Sequence, residues 1–132
     1  YDCVVCAAMD ARCNQVYVAL FRVNGGKVER LTEEECLKTD EAARMLSEYD
    51  DDIMLVGDGA FIMKKATDDE GLENVKIAPD PLRYQTGYGV CLAAVNAPQL
   101  TPEQLMPMYL KLPQAQRELM AKNAEAYKER KE

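Results

Sequence analysis

Histidine is absent from this 132-residue chain. Cysteine and serine hydrolases therefore lack their usual base, and no Ser/His/Asp or Cys/His set can be assembled. No stretch of eighteen consecutive apolar residues occurs, which excludes a membrane-spanning helix. No basic segment leads into an apolar one at the start, so no secretory signal peptide is expected. Cationic residues are outnumbered: 16 Lys and Arg face 23 Asp and Glu, a formal net charge of -7. That average field repels a phosphate backbone, and direct nucleic-acid binding is not expected. Internal repeats and low-complexity segments are also missing.

Cysteine is present but unpaired by pattern. There are five, an odd number. Cys3, Cys6, Cys36 and Cys91 sit in apolar surroundings, where the thiol acts as a small hydrophobe. Cys3-Val4-Val5-Cys6 has C-x-x-C spacing, but residues three apart in a strand point to opposite faces. With no second pair and no His, neither a metal site nor redox chemistry is expected. Unpaired thiols suit a reducing, cytoplasmic environment.

Apolar residues make up 48% of the chain. The length suits one domain, able to bury about two thirds of its unfolded surface. The first residues, Tyr1 and Asp2, run almost directly into an apolar strand, so a cut piece of a longer protein is expected.

Cys3 to Met9 is apolar without alternation, the pattern of a strand covered on both faces. Asp10 to Gln15 forms a polar corner, and Val16 to Val23 is a second such strand. Asn24-Gly25-Gly26 is a tight-turn signal, because Gly tolerates positive φ. Lys27 to Leu37 alternates poorly and is acidic around Glu33 to Glu35, as suits an edge strand. A helix follows, capped by Thr39 or Asp40, with Ala42, Met45, Leu46 and Tyr49 on one apolar face. Ile53 to Val56 reads as a buried parallel strand. Gly57-Asp58-Gly59 turns into a second helix with Phe61, Ile62, Lys64 and Lys65, and Val75 to Ala78 is a last short strand. Pro79 and Pro81 break the chain. Tyr88, Cys91, Leu92 and Val95 form another helical face, with Gly87 and Gly89 weakening its start by about 1 kcal/mol each. Thr101-Pro102-Glu103-Gln104 has the capping-box pattern, and Pro107 stops that short helix. Pro113 opens a final helix, supported by Glu118 and Lys122 at i, i+4. The expected fold class is α/β, with a mixed sheet of about five strands. An antiparallel meander followed by alternating helices and parallel strands is the ribonuclease-H-like arrangement.

Three groups of residues carry two readings each. Asp10 at the hairpin corner can meet a metal or a phosphate-bound water, or, with Asn14, cap the turn by bonding backbone amides. Gly57, Asp58 and Gly59 open a helix whose amides attract phosphate, or simply permit a tight strand-to-helix turn. The motif lacks the length of G-x-G-x-x-G and any P-loop Lys. Arg83, Tyr84 and Tyr88 form part of a partner surface or start a helix over the core. No catalytic set and no metal site is assigned.

Three segments resemble the TsaB (YeaZ) family, in order along the chain. They are Asp10-Ala11-Arg12 before a Val-Tyr strand, Leu55-Val56-Gly57-Asp58-Gly59-Ala60, and Met108-Tyr109-Leu110-Lys111-Leu112-Pro113-Gln114-Ala115 with Arg117-Glu118. Cys13 stands where a second basic residue is common in the family, and Gln116 where an acid is common. The resemblance is to the C-terminal lobe only. It implies residues 1–112 as a ribonuclease-H-like lobe of the actin-like ATPase (ASKHA) type, and 113–132 as a helical extension. It further implies a non-catalytic scaffold subunit without cofactor. Such a subunit works with TsaD-like and TsaE-like proteins to attach a threonylcarbamoyl group to an adenosine beside the tRNA anticodon. The family's main TsaD-facing and self-dimerising surface lies on the N-terminal lobe, so this lobe is expected to fold but to be inactive alone. Any weak remaining association is expected through Arg83, Tyr84 or the helix after Pro113. The alternatives are a nucleotide-binding ASKHA enzyme lobe using Asp10 and the Gly57–Gly59 turn, or a free-standing acidic interaction module. Nothing in these residues supports the proteolysis implied by the family's older glycoprotease-like name.

Overall fold

The computed structural model describes residues 2–95, 97–113, 115, 116, 119 and 120. Strand β1 (Cys3–Asp10) and strand β2 (Gln15–Asn24) form an antiparallel hairpin. Its register runs from Cys3 opposite Val23 to Asp10 opposite Val16. Gly25 and Gly26, both at positive φ, make the expected two-residue turn into β3 (Lys27–Arg30). The Asp2 carboxylate pins that turn by accepting from the Gly25 N–H at 2.9 Å.

The third strand differs from expectation. It is broken into β3 and β4 (Glu35–Lys38), which pair with opposite ends of the same edge of β2. The sheet thus has six strand segments in five positions, in the order β3-β2-β1-β5-β6 with β4 beside β2. Thr32 causes the break. Its Oγ1 accepts from the Leu20 N–H at 3.0 Å, taking the place of a strand carbonyl. The Leu20 carbonyl accepts from the Leu31 N–H at 2.8 Å.

Helix α1 (Thr39–Leu46) starts one residue earlier than expected. Lys38 occupies the cap, and its N–H donates to the Glu41 carboxylate at 3.2 Å. The helix ends before Tyr49, which still packs against the core. Strand β5 (Ile53–Val56) lies parallel to β1, with Cys6 opposite Leu55. Helix α2 (Ala60–Asp69) returns the chain to β6 (Val75–Ile77), parallel to β5. The Asn74 side chain secures this edge by donating to the carbonyls of Tyr49 and Asp51. Both helices lie on one face of the sheet. They cover Val4, Cys6, Ala8, Val16, Leu20, Ile53 and Leu55 with Ala42, Leu46, Ala60 and Met63. Burial of the larger of these, Val4, Val16, Leu20, Leu46, Ile53, Leu55 and Met63, contributes about 1.5–3 kcal/mol each before entropy is counted.

The other face breaks the double-cover expectation for β1 and β2. Cys3, Val5 and Ala7 are only half-buried there, and Met9 is 58% exposed. An unbroken apolar strand tolerates cover on both sides, yet no helix among the described residues supplies the second cover. Beyond β6, the Pro-rich segment that was expected only to break the chain forms a helical turn, α3 (Asp80–Arg83), with Pro81 inside its first turn. Proline is tolerated there because its missing N–H would find no helical acceptor. Helix α4 (Gly87–Val95) forms as expected, but none of its residues is buried. The capping box at Thr101 closes one turn rather than a helix: Gln104 Oε1 accepts from the Thr101 N–H at 2.9 Å. Residues 108–110 have no regular secondary structure. Apart from the helical residues 115, 116, 119 and 120, the helix expected after Pro113 and the Glu118–Lys122 pair lie outside the described residues. No described helix is long and apolar enough to cross a membrane.

Two outcomes test this packing. Thr32→Val should lower the unfolding free energy by about 1–3 kcal/mol in urea titration, because it leaves the Leu20 amide unpaired. Thr32→Ser should recover most of the loss, and equal stabilities for the two variants would contradict the hydroxyl's role. Cys6 supplies the second test. Burial pushes its thiol up to about 12 from an ordinary 9.0. The unfolded chain ionises first, so this contribution is complete below pH 9 and disappears between pH 9 and 12. The slope is about -1.4 kcal/mol per pH unit for one thiol. Cys6→Ala should therefore decline less steeply than the native chain between pH 8 and 10, and parallel declines would speak against the buried thiol.

Candidate functional site

The carboxyl ends of the parallel strands β1 and β5 meet at one corner of the molecule. This is the usual place for a site in an open α/β sheet. The corner is shaped by unusual backbone. Arg12, Cys13 and Asn14 are consecutive at φ 61°, 54° and 57°. Asn accepts the left-handed region readily, whereas other non-glycine residues lose about 1–2 kcal/mol there. The turn is closed by Ala11 N–H to the Gln15 carbonyl at 3.0 Å and Gln15 N–H to the Arg12 carbonyl at 3.1 Å.

Asp10 builds this turn. Its Oδ1 accepts from the Arg12 N–H at 2.7 Å, and its Oδ2 pairs with the Arg12 guanidinium at 3.2 Å. Asp58 comes from the other strand end, and its Oδ1 accepts from the Asp10 N–H at 3.1 Å. The fold therefore brings Asp10 and Asp58 together from 48 residues apart, with backbone amides satisfying both. Among the described residues, no three Cys, Asp or Glu side chains converge as a metal would require.

Gly57 and Gly59 have a packing reason. Gly57 lies at φ +95°, and a Cβ there would come within 2.0 Å of the Ala8 carbonyl oxygen. A Cβ on Gly59 would sit 3.0 Å from the Ala8 carbonyl carbon. The turn amides are directed at protein: Gly57 N–H donates to the Arg83 carbonyl at 2.7 Å, and Gly59 N–H to the Ala8 carbonyl at 3.0 Å.

Arg83 and Tyr84 lie beside this turn. The Arg83 side chain is only 11% exposed and pairs with Asp80. Its guanidinium lies 4.7 Å from the Phe61 ring centroid and 4.9 Å from that of Tyr84, a cation stacked against two aromatic rings. Arg83 Nε is buried without a hydrogen-bond partner. Tyr88, grouped with them by sequence, stands apart on α4 and is 74% exposed.

Sequence reasoning missed the groove that these residues border. It is a cavity of about 650 Å³ on the free face of the sheet, floored by Ala7, Met9, Tyr17, Ala19, Phe21 and Val56. Arg83 and Tyr84 lie at one end, Glu34 also borders it, and Met108 to Lys111 form a further wall. Lys111 Nζ donates to the Ala11 carbonyl at 2.7 Å across a separation of 100 residues. The Glu34 carboxyl is held below its usual range by its own backbone amide and by Arg30, which pairs with it at 2.8 Å. The only sequence signal for this groove is the lack of alternation in β1 and β2. Its chemistry is that of an apolar slot with cations at the rim, suited to apolar side chains.

No family model matches the chain, and no curated protein matches it. Among solved structures it is similar to a crystal structure of an uncharacterized protein with similarity to peptidase YeaZ, from Pseudomonas aeruginosa. Identity is 19% and the TM-score is 0.54, over 82% of this chain and 49% of the other. The chain thus spans about half the length of that relative. The likeness supports a YeaZ-like fold, and the mixed α/β sheet agrees with the expected ribonuclease-H-like arrangement.

The glycine packing yields a direct comparison. Gly57→Ala should cost about 3 kcal/mol or more, since positive φ and the collision with Ala8 add. Gly71→Ala meets only the φ penalty, because open space surrounds Gly71 at φ +77°. It should cost about 1 kcal/mol. Similar losses for both in urea titration would mean that the turn does not press on β1.

Proposed function

We propose that this chain is the second lobe of a TsaB-like scaffold subunit, non-catalytic and cytoplasmic. In this reading it serves TsaD-like and TsaE-like partners in forming threonylcarbamoyladenosine in tRNA. The observation that carries the proposal is the meander-then-α/β sheet, similar to a YeaZ-related structure, with the Asp10-Ala11-Arg12 corner and the Gly57-Asp58-Gly59 turn meeting at one strand end. A scaffold needs a rigid corner rather than a reactive one. Here the polar groups of Asp10, Asp58 and the glycine amides bond to one another or to nearby backbone.

Peptidase chemistry, which the name peptidase YeaZ carries, has no support in these residues. The sequence contains no histidine and a single serine, Ser47. Its hydroxyl donates to the Arg44 carbonyl at 2.7 Å at the end of α1. The rival reading is a nucleotide-binding ASKHA lobe, favoured by the meeting of Asp10 and Asp58 at the carboxyl ends of parallel strands. Titration with ATP and magnesium separates the two, since micromolar binding would favour the rival.

The proposal is tested by reconstitution. This chain mixed with TsaD-like and TsaE-like proteins, an activated threonylcarbamoyl donor and tRNA should give far less modified adenosine than a two-lobed TsaB in the same assay. Modification near the two-lobed level would refute both the lobe assignment and the placement of the main partner surface on the other lobe.

A further inference from the structure

The chain after Gln85 touches the rest of the domain lightly. Among the described residues from Thr86 to Pro113, Leu110 and Lys111 alone are partly buried, and the others are exposed. Backbone bonds in this stretch are local: Val90 N–H donates to the Thr86 carbonyl, and Leu105 N–H to that of Thr101. Lys111 reaches much further, since its Nζ donates to the Ala11 carbonyl at 2.7 Å across 100 residues of chain. The acceptor is fixed in place. Ala11 is buried, its N–H is bonded to the Gln15 carbonyl, and Asp10 fastens the turn that follows. A bond from an ammonium to a carbonyl is charge-assisted, and stronger than a neutral one.

This contact closes one side of the groove. Met108 to Lys111 wall the cavity whose floor includes Ala19. Ala19 lies on the sheet face away from α1 and α2, yet it is only 6% exposed. Apolar packing holds the wall weakly. Burial stabilises in proportion to the apolar area removed from water. Met108 and Tyr109 gain little by that measure, being 72% and 86% exposed, and Leu110 is only partly buried. Residues 107–110 also lack a helix or strand that would stiffen them.

We propose that residues 108–111 form a strap latched by Lys111, and that release of the Lys111–Ala11 bond opens the apolar floor of the groove. Segments with few buried contacts open locally at low cost, while the core stays folded. One donor on the strap therefore decides between the closed and the open groove. Its acceptor sits between Asp10 and Arg12, so the latch is fastened to the polar corner. The helices α1 and α2 pack on the opposite face of the sheet and take no part in the opening.

Thiol labelling of the full 132-residue chain reads the floor directly. Ala19→Cys places a thiol there, and so does Ala7→Cys, made in a separate chain, at the position opposite Ala19 in the hairpin. N-ethylmaleimide is the probe, and peptide mass spectrometry gives the rate at each cysteine. Lys111→Met keeps an apolar stem but removes the donor. It should speed labelling of either floor thiol by about 10-fold or more, as loss of a hydrogen bond from a charged group implies. Lys111→Arg keeps a donor and should label nearly as slowly as the native residue. Two native cysteines separate strap release from general loosening. Cys91, exposed on α4, should label equally in all chains, and Cys6 in the core should stay protected. Equal floor rates for Lys111 and Lys111→Met would overturn the latch. A rise shared by Cys6 would overturn it too, because the whole fold would then be opening. Lys111→Arg labelling as fast as Lys111→Met would do the same, since donation to Ala11 would then not be what holds the strap.

Discussion

The carbonyl of Ala8 is the point on which the functional corner depends. It receives the Gly59 amide and occupies the space that any side chain at Gly57 would need. That contact presses the turn after β5 against the end of β1. Asp58 is thereby brought to the Asp10 amide, and the Gly57 amide is aimed at the Arg83 carbonyl. Arg83 is then seated over Phe61 and beside Tyr84. One close backbone approach therefore links both strand ends, the α3 turn and the groove rim. Only glycine permits it, since any Cβ at position 57 would overlap an oxygen that cannot move without breaking the sheet.

The second organising feature is asymmetry between the two faces of the sheet. Helices α1 and α2 seal one face into a core of aliphatic side chains. The other face is just as apolar in sequence but, among the described residues, holds only the segment of Met108 to Lys111, tied down at Lys111. Apolar surface left in contact with water favours contact with protein. In the polar corner beside it, the Asp10 and Asp58 carboxylates accept from the Arg12 and Asp10 amides.

Much of the fold was legible in the chain. Ile53 to Val56, with Gly57 after it, could be read as a parallel strand because four apolar residues between an acidic turn and a glycine leave few alternatives. The Gly25–Gly26 turn and the Ala42–Leu46 face were equally plain. The break at Thr32 was not, since a hydroxyl that replaces a strand carbonyl looks in sequence like any other strand residue. In the sequence, Arg83 fits part of a partner surface or the start of a helix over the core. Its burial follows from Phe61, which is distant in sequence and reaches it only once α2 has packed.

Local order was thus set by the sequence itself: hydrophobic runs, glycine turns and capping residues act over a few positions, and short-range sterics suffice to decode them. The tertiary structure alone decided which strand ends converge, how the Asp10 amide comes to donate to Asp58, and which sheet face carries no helix among the described residues. Those outcomes depend on contacts 48 to 100 residues apart, such as Asp10 with Asp58 and Ala11 with Lys111. No local pattern encodes such a pairing, because its energy exists only after the intervening chain has folded.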